Sequence, residues 1–292
     1  MKYFLVLIFS VVSISFAQGQ TLAEKIAIMA CTYLDSINNY NVLLDSIESS
    51  IVSATTILIL EGAPEETKVI GSVEGIRETL KAANEILPVH CDNVRRLIIK
   101  EKRRKFYKRS SSYAANKHYD KGNSLMEKGD YQDAIKEFKL AVKLDNNFVY
   151  AIDHIAVCYR RLGEYKTAIK YYNKSLDIFP EGDIAIMNIA ATYSFIKDDN
   201  NSIKNYRLLK YLYPDNPEGY YGLAKMLSVN GDDEEALDNL FTAHKLYLES
   251  NSEYLKDSKL LMKYLISKLK SLNKMDLVEK KAKEHNVVIN EE

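Results

Sequence analysis

"KGDYQDAIKEFKLAVKLD" occupies residues 128–145, and "LGEYKTAIKYYNKSLDIFP" occupies residues 162–180. Both carry a glycine, then a tyrosine, an alanine and an aromatic at the same offsets, 34 residues apart. Continuing in steps of 34 puts Ala134, Ala168, Ser202 and Ala236 in register. Twelve residues before each lie Gly122, Ala156, Ala190 and Ala224, again small. Leu125, Tyr159, Tyr193 and Leu227 follow three residues on, and Phe138, Tyr172, Tyr206 and Leu240 share a further slot. Ala141, Ser175, Leu209 and Ala243 make the last, while Pro180 and Pro214 close the second and third units.

This pattern describes two antiparallel helices per unit. A small residue on each lets the backbones approach, and large residues three or four positions away fill the space between them. "KGDY", "LGEY" and "NGDD" put a glycine where the chain turns with φ > 0. Proline ends the second helix before the next unit starts. One pair cannot bury its own apolar face, so the units must stack. The third unit reads "IKDDNNS" where glycine and tyrosine are expected, which leaves its turn the least defined.

The period and the order of small, aromatic and proline positions resemble the tetratricopeptide repeat family over residues 115–249. The family's large aromatic at the fourth position is replaced by His118, Ile152, Ile186 and Tyr220. The resemblance implies an all-α fold, a tetratricopeptide helix-pair solenoid, with a groove lined by the first helix of each unit. Transferred slot by slot, the peptide-binding residues are Tyr119, Asn123, Tyr150, Asp153, Arg160, Arg161, Met187, Asn188, Phe195 and Tyr221. The family's clamp for chaperone C-termini is tested the same way. Its places hold Tyr119, Asn123, His154, Ile184 and Asn188, and among them only Asn123 fits.

Outside the repeats the chain reads differently. "MKYFLVLIFSVVSISFA", residues 1–17, has a positive start, an apolar run and small residues before Ala17, the order of a cleaved secretory signal peptide. Residues 18–98 show no repeat and read as a small helical bundle, opened by a capping box at Thr21 and Glu24. The apolar run 51–60 within it is too short to span a bilayer. Residues 99–112 hold "KEKRRKFYKR" and read as a basic helix end and linker. Weak contact of 100–109 with anionic surfaces is the alternative. Residues 113–249 are the four repeats, 250–286 are C-terminal capping helices with lysines on the side away from the repeats, and 287–292 a tail.

Lysine plus arginine balances aspartate plus glutamate at 40 each, so no global field calls for nucleic acid. Three cysteines in an exported chain leave one pair and one spectator, or none paired. Cys31 and Cys91 share a region and are the natural pair, a closure contributing about 4 kcal/mol in the chain-entropy model. Cys158 falls in a repeat slot occupied elsewhere by Ser124, Thr192 and Met226, so it reads as core filler. The five histidines form no ligand spacing, and there is no phosphate loop or nucleophile elbow. The expectation is therefore no cofactor, no metal and no catalysis. It favours an exported scaffold, periplasmic or extracellular, that binds a protein or peptide segment. The alternative is an envelope-remodelling or enzymatic factor whose activity resides in the N-terminal bundle, with the repeats as a recruitment arm.

Overall fold

The computed structural model describes residues 20–61 and 72–289; the signal segment and the Gly-Ala-Pro break at 62–64 lie outside them. Fourteen helices and no strand occur among the described residues. The chain divides into two compact units, one ending at Glu101 and the other starting at Lys102.

In the first unit, α1 (Leu22–Leu34), α2 (Tyr40–Glu61), α3 (Val73–His90) and the start of α4 (Asp92–Phe106) form the bundle. Thr21 caps α1 as the sequence predicts: its Oγ1 accepts from the Glu24 N–H at 3.2 Å, and Glu24 Oε2 accepts from the Thr21 N–H at 2.7 Å. Ile26, Ala30, Leu34, Leu43, Ile51, Ala54, Ala83 and Leu87 make the core. Buried Asn93 donates to the Leu34 and Ile37 carbonyls at 2.9 and 2.7 Å, which ties the end of α1 and the turn after it to α4. Cys31 and Cys91 are bonded, with Cα atoms 5.3 Å apart, and Cys158 is free and buried.

Pro88 sits in the last turn of α3, and the helix breaks at Cys91. One detail differs from the sequence reading: counted from Tyr40 to Leu60, α2 is long and apolar enough to cross a membrane by length and composition alone. Its Leu43, Ile51, Ala54 and Leu58 are nevertheless buried in the bundle.

The second unit contains the stacked pairs. They are α5 (Tyr113–Glu127) with α6 (Tyr131–Leu144), and α7 (Val149–Arg161) with α8 (Tyr165–Ile178). Then come α9 (Asp183–Phe195) with α10 (Asp199–Leu212), and α11 (Pro217–Asn230) with α12 (Asp233–Glu249). Ala134, Ala168, Ser202 and Ala236 are all fully buried. A Cβ on Gly122 would stand 2.6 Å from the Phe138 ring, so the close approach of α5 and α6 requires glycine there. The buried Ser202 hydroxyl donates to the Ala190 carbonyl at 3.0 Å, which makes it an acceptable substitute for alanine.

The turns repeat bond for bond. The N–H groups of Asp130, Glu164, Asp198 and Asp232 bond to the carbonyls of Leu125, Tyr159, Tyr193 and Leu227 at 2.9–3.0 Å. This is the six-to-one closure of a left-handed helix end. Gly129, Gly163 and Gly231 supply the positive φ, and in the third unit Lys197 adopts it at 58°. The missing glycine thus leaves a strained residue in an otherwise identical turn, costing roughly 1 kcal/mol. Asp198 offsets part of that cost by capping α10 through the Asn201 N–H.

No proline ends the fourth unit, and α12 runs 17 residues where α6, α8 and α10 run 14. Two further helices, α13 (Leu255–Ser271) and α14 (Met275–His285), bring Leu265, Leu269, Val278 and Ala282 against Leu237, Leu240 and Phe241. Their lysines are not all on the far side, as the sequence reading has it. Lys268 and Lys274 grip Asp233 at 2.7 and 3.1 Å, and Lys281 grips Asp238 and Glu234 at 3.0 Å each. Burial alone would raise the Asp233 carboxyl, but these cations hold it below its ordinary range. Long aliphatic stems let lysine cover apolar surface while its ammonium reaches an acid.

Candidate functional site: the first-helix face of the repeats

Residues 102–109, expected as an exposed basic helix end and linker, do close the helix at Phe106 but are docked against the repeats. Tyr107 is the centre of the contact. It packs edge-on against Phe179 with centroids 5.5 Å apart and beside Tyr150 at 5.1 Å. Its hydroxyl donates to Asp153 Oδ2 at 3.0 Å. Phe106 stacks on Phe179 at 5.2 Å. Lys102 pairs with Glu181 at 2.6 Å and Arg103 with Asp183 at 3.1 Å. Arg109 makes a two-pronged bond to Asp120 at 2.9 and 2.7 Å. The cations at 102, 103 and 109, which the alternative assigns to an anionic surface, face acids of their own chain.

This strap changes the status of several expected groove residues. Asp153 is 0% exposed. Its burial pushes the carboxyl up to about 7, with Asp183 adding to the rise and Ser175 and Tyr107 opposing it. Ser175 lies close enough to steady the carboxyl, yet neither its hydroxyl nor Asp153 Oδ1 completes a hydrogen bond. Tyr119 is buried as well, against Phe138, Phe148 and His154. Neither presents a surface to a partner while the strap is in place. Asn116, another first-helix position, exchanges hydrogen bonds with the Ser110 backbone. Tyr150 is half-buried under the Tyr107 ring.

A polar ladder follows along the face. Asn123 meets His154 Nδ1 at 2.9 Å, and burial depresses that imidazole to about 4, so it is neutral at ordinary pH. Arg160 Nη2 donates to Asn188 Oδ1 at 3.3 Å, and Asn188 donates to the Ile184 carbonyl at 2.8 Å. The Arg160 Nε and the Tyr172 hydroxyl are buried beside each other, too loosely placed to form a well-aligned hydrogen bond. Burial pushes that phenol up to about 12 despite the nearby guanidinium. Met187 is half-buried between the ladder and the far rim, where Arg161 is exposed. There Phe195 is 55% exposed, stacked on Tyr165 at 5.5 Å. Tyr221, half-buried, leans on Tyr247 at 6.2 Å.

The face therefore has a closed half and an open half. The sequence placed Tyr150, Asp153, Arg160 and Asn188 on one face, and the structure gathers them there. It did not indicate Phe106, Tyr107, Phe179, Glu181 or Asp183. The visible signal was the aromatic pair inside the basic run, and nothing local said that acids 46, 79 and 80 residues later would receive the run. Metal-type side chains converge at Cys31, Asp35 and Cys91, where the disulfide already consumes both thiols.

Residues 113–181, which hold the first two helix pairs, match the tetratricopeptide repeat family model, and the next two pairs repeat the same helix–turn–helix arrangement. Among solved structures the chain is similar to MamA from Desulfovibrio magneticus RS-1. That match has 14% identity and a TM-score of 0.43, over 56% of this chain and 98% of that one. A putative kinesin light chain repeat protein from Podosopora anserina matches at 12% identity and a TM-score of 0.47, over 61% and 100%. The first tetratricopeptide domain of Spaghetti (RPAP3), solved with the HSP90 peptide SRMEEVD, matches at 21% and 0.40, over 41% and 96%. No curated protein matches the chain.

Proposed function

We propose that this protein is an exported scaffold that holds a peptide or protein segment along the open half of its repeat face. Arg160 carries the proposal. Its guanidinium is partly buried and has no acidic partner among the described residues, meeting instead the neutral Asn188 amide and Tyr172 hydroxyl. A half-desolvated cation without an anion is costly to keep and gains most from a carboxylate ligand. Arg161 adds a second cation next to it, while Met187 and Phe195 offer apolar anchorage on the same side. The ligand class that fits is a segment with an acidic side chain or C-terminal carboxylate next to an apolar side chain.

Export is supported by residues 1–17 and by the Cys31–Cys91 bond, since disulfides persist in oxidising compartments. Mass spectrometry of the mature N-terminus should find a chain starting after Ala17. For the ligand, an array of acidic peptides with free and amidated C-termini would be titrated against the mature protein. Arg160→Ala with Arg161→Ala should weaken capture roughly tenfold, the scale of one or two charge-assisted hydrogen bonds. Binding that survives the double change would remove this surface from consideration.

A further inference from the structure

We propose that the closed half is itself a binding site, for basic–aromatic segments, and that residues 102–107 are its resident and displaceable ligand. The site is built from Tyr150 and Asp153 on α7, Phe179 and Glu181 in the α8–α9 loop, and Asp183 at the start of α9. It reads two cations followed, one turn later, by two adjacent aromatic rings.

A segment whose task was to cap the stack would cover the outer end of the first repeat. The strap runs differently: it meets Asp120 of the first unit, Tyr150 and Asp153 of the second, and Asp183 of the third. That is the course of a ligand laid across successive units. The receiving surface is also shaped for the ring. A Cβ on Gly182 would stand 2.9 Å from the Tyr107 hydroxyl and 3.1 Å from the Phe179 carbonyl, so only glycine there admits the phenol.

The fit is incomplete in an informative way. Glu181 Oε2 is a buried acceptor that the strap leaves without a hydrogen bond. Buried carboxylate oxygens are normally satisfied, and an unsatisfied one weakens the bound state. A segment that keeps the two cations and the aromatic pair, and adds one further donor beside the cation that meets Glu181, would therefore be a better ligand than the strap. The grip on the cations is also adjustable, because Lys102 and Arg103 remain 43% and 46% exposed and their ion pairs are screened by salt. This site shares no residue with the Arg160 surface, so the two stand or fall separately.

The test uses the full mature chain and a labelled peptide spanning residues 100–109, KEKRRKFYKR, followed by fluorescence anisotropy. Wild type should bind it weakly, because a tethered copy competes at an effective concentration of order millimolar. Phe106→Ala with Tyr107→Ala should empty the site and tighten capture at least tenfold. Placing Gly182→Ala on top of that pair should abolish the gain, and so should replacing the peptide's tyrosine by alanine. A strap-emptied protein that melts cooperatively yet binds no better than wild type overturns the proposal. Should that variant fail to fold, Lys102→Ala with Arg103→Ala gives the same reading, since it cuts the exposed ion pairs and leaves the rings. Peptide capture and amide exchange over 103–109 should both rise, and an unchanged value in both overturns the proposal equally.

Discussion

The two halves of the repeat face are both lined by the first helices of the units, yet one is filled and the other is open. At the fifth position Asp153 of the second unit is sealed beneath Tyr107, whereas Met187 of the third unit is only half-buried, and Phe195 further along that helix is more than half exposed. Slot identity is therefore not exposure. What separates the halves is a segment outside the repeats, anchored by acids that lie between and at the starts of later helices.

The sharpest way to break this contrast is to remove the ring at its centre. Tyr107→Ala should lower stability by about 3–5 kcal/mol, through the lost aromatic burial and the carboxyl left without its donor. Urea unfolding should show the midpoint falling, with a slope close to that of wild type. A loss no greater than that of a surface substitution would mean that the two halves do not differ energetically.

A pH series probes the same contact more gently. The Asp153 carboxyl rises from an ordinary 3.8 to about 7 on folding, so the folded protein holds a proton that the unfolded chain releases. Its contribution to stability is full below about pH 4 and is lost as pH climbs through about 7. Melting temperature should fall between pH 5 and pH 8, and Asp153→Asn should flatten that slope. A slope equally steep in the variant would assign the effect to other groups.

Two smaller changes sharpen the comparison from the repeat side. Lys197→Gly should stabilise by roughly 0.5–1 kcal/mol by relieving the positive φ at the third turn, as thermal denaturation would show. Phe195→Ala, in the open half, should change stability by about 0.5 kcal/mol or less, since the ring is mostly solvated and stacked only on Tyr165. Its effect belongs in ligand binding, and a large loss of stability there would show that the far rim is part of the core.

The repeats were legible because each unit solves its packing with neighbours in sequence. Ala134 and Phe138 are recognisable by spacing alone, and even the third turn, which lacks glycine, forms from its surroundings. The bundle was legible as helices and in its Cys31–Cys91 closure, which the cysteine count and shared region pointed to, but not in the contact of Asn93 with Leu34, which joins residues 59 positions apart. The strap was misread for the same reason. A run of lysines and arginines looks solvated until Glu181 and Asp183 are known to face it.

Local periodicity thus determined the helix pairs, their turns and the register of the face, because contacts three, four and 34 residues apart are written into the chain itself. Which part of that face stays open was decided by tertiary structure alone. Exposure depends on what the rest of the chain brings to a surface, and Tyr107 reaches Asp153 only once the second and third repeats have stacked and set Phe179 and Gly182 around it.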